Sequence, residues 1–309
     1  MVGIYNYFFP VNPVTDRSEF HLIPSWVEGF VGTHSYAPLI KKSGGEIADD
    51  DHMHGGYVKL VKEVGGQLAA LAKRKDIKFE FTVIDSKEDN AWCLPGGKIG
   101  INIGLIRNME TEKLADTLSI NPSLREKIAA VLSHEIVHAD ARHTGRSLEF
   151  RLLLVGIIKA AQIFIVYHWV KKSYDAKIEE ASRKNDPQAH ILTAERDSQA
   201  RRVGYLFDVT SSWLISGISL CNSRSHELES DRYGMRMIRD LSKAKTQGFN
   251  ETSPQAALWL QQFFQKHHSH DTNNHYLNWT LNLFSSHPSP EERLRANKVT
   301  LLDLLSGKL

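Results

Sequence analysis

Residues 131–145, VLSHEIVHADARHTG, set three histidines, a glutamate and an aspartate on a background of Val, Leu, Ile and Ala. Such groups are costly to bury unless each finds a partner. The segment must therefore bring its polar side chains to a common point. His134 and His138 are four apart, and in a helix such positions stack on one face. Glu135 lies about 100° further round the axis. Ile128, Leu132 and Ile136 form a separate apolar row, which leaves the histidine row to face a cleft. The pattern H-E-x-x-H is one in which two imidazoles hold zinc, the ion acidifies a water, and the glutamate takes its proton. Two core histidines hydrogen-bonded within a packed helix would use the same residues.

A catalytic zinc takes a third protein ligand and keeps a position open. The segment SRSHELESD, 223–231, supplies candidates. Glu227 and Asp231 share a helix face. Glu227 can ligate while Asp231 accepts a hydrogen bond from the outer nitrogen of a ligand histidine. Glu229 is the alternative by composition, but it points elsewhere on that helix.

The rest of the chain narrows the class. Thirty-eight basic and 36 acidic side chains leave a formal charge of +2, which gives no electrostatic footprint for nucleic acid. Two cysteines, Cys93 and Cys221, make neither a disulfide framework nor a cysteine zinc site, and they fit a reducing compartment. No basic residue precedes Arg17, so the start does not read as a secretory signal. The expected location is cytoplasmic as the sequence stands, or periplasmic or membrane-associated if a leader has been removed.

Residues 1–50, with Pro10, Pro13, Pro24 and Pro38, read as an irregular arm laid over the domain. Residues 51–309 read as one domain with a helical hairpin inserted at about 151–221. Tyr57 to Lys75 has helical periodicity. KFEFTVID and KIGINIGLI alternate as a strand pair, with turn chemistry in CLPGG between them. Leu124 to Phe150 reads as one long helix. Leu152 to Val170 is long enough to span a bilayer, but Lys159 within it costs roughly 3 kcal/mol on insertion scales. Asp208 interrupts a second apolar run in the same way. A buried two-helix hairpin is the expectation, in a protein that is soluble or peripherally bound. The basic flanks Arg146, Arg151, Lys171 and Lys172 keep a membrane-dipping hairpin open. His267, His268, His270 and His275 are read as a solvated loop rather than a second metal site. Cys93 and the tryptophans are read as packing.

Taken together, SHEIVHADARH, SRSHELESDRYG and SSHPSPEERL resemble the HtpX-like zinc metallopeptidases, peptidase family M forty-eight. DNAWCLPGGKIGINIGLI resembles that family's edge-strand segment, and NPVTDRSEFHLI the lead-in of its OMA, BepA and LoiP branch. The segments follow in order from about Asn12 to Arg295. The resemblance implies an α+β, mainly α fold: a gluzincin, or zincin-like, domain with a small sheet next to the active-site helix. It implies one Zn2+ per chain on His134, His138 and Glu227, with Glu135 as general base and Asp231 behind a ligand histidine. It places His287, of the His-Pro step, at the zinc as a plug or an oxyanion donor, and gives His143 a structural role. It implies that Asn90, Ala91 and the strand Lys98, Ile99, Gly100 and Ile101 bind an extended substrate by β-addition. The implied activity is a zinc-dependent endopeptidase for protein or peptide substrates, in quality control of misfolded or membrane-associated proteins. Peripheral membrane association is a further option, and the oligomeric state is open. The alternative is a catalytically silent, zinc-binding, chaperone-like scaffold, against which intact Glu135 argues.

Overall fold

A computed structural model describes residues 8–112, 121–269 and 289–309, with backbone alone at 210–223, 268 and 269. In chain order its elements are α1 (Ser25–Lys42), α2 (Gly55–Leu71), β1 (Glu80–Ile84), β2 (Ala91–Leu94), β3 (Lys98–Asn102), α3 (Ile103–Thr111) and α4 (Leu124–Asp140). There follow α5 (His143–Ile165), a π-helical stretch (Val166–Lys171), α6 (Lys172–Arg183), α7 (Gln188–Lys243), a 3-10 turn (Ser253–Gln255), α8 (Ala256–Ser269) and α9 (Pro290–Leu305). The architecture is mainly helical with one small sheet, as the family resemblance implies. The described residues divide into two units, Met1–Ser147 with Asn222–Leu309, and Leu148–Cys221.

In the first unit, α4 is the central element. Ser123 caps its start, and a reciprocal bond from the Ser123 backbone N–H to Glu126 completes a capping box. The free Glu126 oxygen accepts from the Ser253 hydroxyl at 2.6 Å, which ties the cap to the 3-10 turn. Ile128, Leu132 and Ile136 are fully buried, in one core with Val61 and Leu68 of α2, Ile99 and Ile101 of β3, and Trp259 and Phe263 of α8.

Three local expectations are corrected. The segment 25–42, read as irregular from its prolines, is helix α1 with Pro38 inside it. Buried Glu28 pins it, through ion pairs to Arg74 at 2.8 Å and Arg142 at 2.5 Å; these are long-range contacts that no local pattern reveals. The expected helix from Leu124 to Phe150 breaks after Asp140, because Arg142 takes a left-handed conformation (φ 58°). There its guanidinium reaches Glu28 and the Ile23 carbonyl. The third correction concerns the sheet. Its order is β1-β3-β2, with β1 parallel and β2 antiparallel to β3. Lys98, Ile99, Gly100 and Ile101 therefore lie on the central strand, with both edges already paired. That strand cannot add a substrate strand. Asn90 and Ala91 lead into β2, which is an edge.

The second half of α7 comes close to α4 at one point. A Cβ on Gly234 would lie 3.0 Å from the Ser133 hydroxyl oxygen and 3.2 Å from the His134 backbone nitrogen. Gly234→Val should push the two helices apart, at a cost of about 1–3 kcal/mol typical of overpacking. Thermal denaturation checks this, and an unchanged melting temperature would show the contact to be loose.

In the second unit, the outer part of α5 runs antiparallel to the first part of α7. Lys159 donates to Asp208 at 2.6 Å, and Gln162 donates to the Gly204 carbonyl at 3.0 Å. The connection turns at Asn185 (φ 50°) and Pro187. The expectation of a buried hairpin is overturned. Leu152, Ile157, Ile163, Phe164 and Trp169 are all exposed, Trp169 by 77%. Apolar residues surround this helix instead of forming one stripe, so a single protein neighbour cannot cover them. By length and composition, the helical stretch His143–Arg183 is apolar enough to cross a membrane.

Candidate metal centre

The centre lies where α4, α7 and α9 meet in the first unit. Helical spacing puts the rings of His134 and His138 with centroids 4.8 Å apart and their Nε2 atoms 3.1 Å apart. Glu227, buried on α7, places Oε2 3.3 Å from His134 Nε2 and Oε1 3.3 Å from His138 Nε2. The three ligand groups lie within 4.8 Å of one another. Four ligand atoms about 2.0–2.1 Å from one zinc, at tetrahedral angles, stand roughly 3.3–3.4 Å apart. The observed spacings thus fit a zinc ion, and two imidazoles with a carboxylate are a donor set that zinc accepts.

Asp231 sits one turn beyond Glu227 and is buried. Its Oδ1 is 2.9 Å from His134 Nδ1, so the ring donates there and presents Nε2 to the ligand cluster. Burial and Arg293 work against a charged His134, but Glu227 and Asp231 outweigh them and raise its pKa to about 10. The pocket is thus rich in negative charge and favours a cation. Asp231 has the opposite balance. Burial would raise its pKa, yet the Arg293 ion pair brings it down to about 2.

Arg293 was not foreseen. It lies on α9 and grips Asp231 with a two-pronged bond, Nε to Oδ2 at 2.8 Å and Nη2 to Oδ1 at 2.6 Å. Its Nη1 is 3.5 Å from Glu227. The sequence does signal the start of α9, with Ser289 as cap and Pro290 in the first turn. No spacing rule, however, connects an arginine there to residues 62 positions upstream.

Glu135 is half-buried beside the cluster. Burial, reinforced by the Glu135 carboxylate, raises the Cys93 pKa, so the thiol stays protonated. β2 packs against α4, the helix that carries Glu135. Glu229 is not in the ligand cluster; its Oε1 lies 2.8 Å from His143 Nε2 and 3.2 Å from Arg146. His287 falls outside the described residues, as do His270 and His275. Of the remaining histidines in that segment, His267 faces Glu112 at 3.2 Å and Asp89 at 3.5 Å.

Comparison with known proteins gives the family. The family described as Peptidase family M48 matches residues 59–300. The chain is similar to the mitochondrial metalloendopeptidase OMA1 of Schizosaccharomyces pombe, 27% identical over 150 residues, or 48% of this chain and 40% of that protein. It is also similar to OMA1 of Saccharomyces cerevisiae, 27% identical over 144 residues, or 44% and 38% of the two chains. A candidate beta-barrel assembly-enhancing protease of Vibrio cholerae is 28% identical over 91 residues, 29% of this chain and 16% of that one. The chain thus matches less than half the length of each of these relatives.

Proposed function

The chain belongs to peptidase family M48, and from that premise we propose that it is a zinc-dependent endopeptidase with its metal on His134, His138 and Glu227. The observation that carries this reading is the convergence of those three ligand groups, at zinc-like spacing, beside Glu135. Zinc bound there supplies a Lewis acid that polarises the scissile carbonyl and acidifies water. The chain's own groups do the rest. Glu135 accepts a proton from the attacking water and passes it to the leaving amine. Asp231 keeps the His134 proton on Nδ1, and Arg293 holds Asp231 in place while offsetting the charge of Glu227. An extended peptide adding to the edge of β2 near Asn90 and Ala91 would run alongside Glu135. His287, outside the described residues, remains a candidate to face the metal on the strength of the family resemblance alone. A chelator such as 1,10-phenanthroline should abolish cleavage of casein, and added zinc should restore it. Full activity in excess chelator would rule out the reading.

The place of work is part of the same proposal. The hairpin of the second unit inserts into a lipid bilayer, and the substrates are misfolded or membrane-associated proteins. Three features support this. Leu152, Leu153, Val155, Ile157, Ile163 and Phe164 of α5 are exposed large apolar side chains. Tyr167 and Trp169, residues typical of the membrane interface, stand just before Lys171 and Lys172. Lys159, costly alone in hydrocarbon, is paired with Asp208. The protein should float with liposomes and resist carbonate extraction. Replacing Ile157, Ile163 and Phe164 by serine should release it. Flotation unaffected by the triple substitution would exclude the hairpin as the anchor.

A further inference from the structure

The two ligand histidines are supported differently. His134 gives its outer proton directly to a carboxylate. Among the described residues no carboxylate meets the outer nitrogen of His138; what it meets is another imidazole, His143 Nδ1, at 3.2 Å. Two facing ring nitrogens need one proton between them, and the geometry fixes its place. His138 Nε2 faces Glu227 and the ligand cluster, so Nδ1 carries the proton and donates. His143 Nδ1 must then accept, which leaves the proton of His143 on Nε2, 2.8 Å from Glu229 Oε1. The Ser230 hydroxyl, 3.1 Å away, is a second donor to His143 Nδ1. His143 is 1% exposed, so bulk water does not substitute for these partners. His226 stacks flat on it, 4.4 Å between centroids and 2° between planes, and fixes the plane of the ring.

We propose that His143 and Glu229 are positioning residues for zinc binding, forming a relay His138–His143–Glu229 that sets the tautomer and orientation of the second ligand histidine. This rests on the reading of the cluster as a zinc centre. The relay is anchored in the segment before α1. Arg146 pairs with both Glu229 and Glu19. Glu19 accepts from Asn12 at 2.7 Å, and Asn12 donates in turn to the Ala141 carbonyl at the end of α4. Residues 12–19 therefore brace the turn that carries His143 under the site. Two ligands of one metal thus draw negative charge from two sources: Asp231 directly, and Glu229 through an intervening ring. This also gives Glu229, a candidate ligand by composition, a role outside the coordination sphere.

The test uses the full chain with zinc or cobalt(II) as probe. His143→Phe keeps an aromatic ring against His226 but removes both nitrogens. Glu229→Gln keeps an oxygen that can accept from His143 and removes the charge. Loss of an outer-shell partner typically weakens metal affinity about 10–100-fold. His143→Phe should show such a loss in chelator competition, with a shifted visible spectrum of the cobalt(II) form. Glu229→Gln should show a smaller loss in the same direction. A residue with a purely structural role would lower the melting temperature and leave the cobalt spectrum unmoved, so the spectrum separates the two roles. Wild-type affinity and spectrum in both variants would overturn the relay. Glu227→Ala is the control. If it binds zinc as the wild type does, the zinc-centre reading falls and the relay with it. If it loses zinc while His143→Phe and Glu229→Gln do not, the relay alone falls.

Discussion

Glu135→Gln should keep its zinc and lose hydrolysis, by a factor on the order of 10²–10⁴, the usual contribution of a general base. Glutamine has nearly the same shape, so α4 and the three ligand groups stay as they are. What disappears is the carboxylate that accepts the water proton. Metal content by mass spectrometry and casein cleavage, measured on the same preparation, check both halves. Near-normal cleavage in the zinc-loaded variant would remove Glu135 from the mechanism. Loss of zinc would instead place Glu135 among the groups that hold the metal.

The second large effect is on metal retention. Glu227→Ala should give a folded protein without zinc. The two histidine Nε2 atoms remain 3.1 Å apart, but the carboxylate that bridges them is gone, and Arg293 beside it lacks one of its acceptors. Two imidazoles alone hold zinc weakly, and the Arg293 charge is no longer offset by Glu227. Glu229→Ala should keep the metal with reduced affinity, since Glu229 stands behind His143 and not in the cluster. Asp231→Asn falls between the two, weaker by about 10–100-fold. Equilibrium dialysis against zinc ranks the three. Release of metal by Glu229→Ala with retention by Glu227→Ala would invert the assignment of the third ligand.

The parts of this account legible in the sequence are those governed by local repeat. His134 and His138 meet because four residues make about one helical turn, and Glu227 and Asp231 share a face for the same reason. The sheet's existence followed from alternation in 78–85 and 98–102, although the alternating pattern runs on to 106, where α3 has already begun. Its order did not, because alternation says which face a residue takes and nothing about which strand lies beside it. Lys98 to Ile101 were therefore expected at an edge and lie in the centre. Helix α1 was hidden by Pro24 and Pro38, whose local bias is overridden by the buried Glu28 ion pairs. The break at Arg142 and the grip of Arg293 on Asp231 have the same character: each joins residues more than 60 positions apart. The hairpin shows the opposite case. Its apolar residues were read as buried because soluble proteins usually bury such residues, yet they face outward. In the proposed reading, a bilayer takes the place of a protein core around them.

The central claim is the ligand set, and X-ray absorption at the zinc edge of the purified protein tests it most directly. The account predicts one zinc per chain with a first shell of nitrogen and oxygen at about 2.0–2.1 Å, multiple scattering from two imidazoles, and loss of the bound zinc in Glu227→Ala. A sulfur shell near 2.3 Å, scattering from three or four imidazoles with no carboxylate, or a first shell unchanged in Glu227→Ala would contradict it.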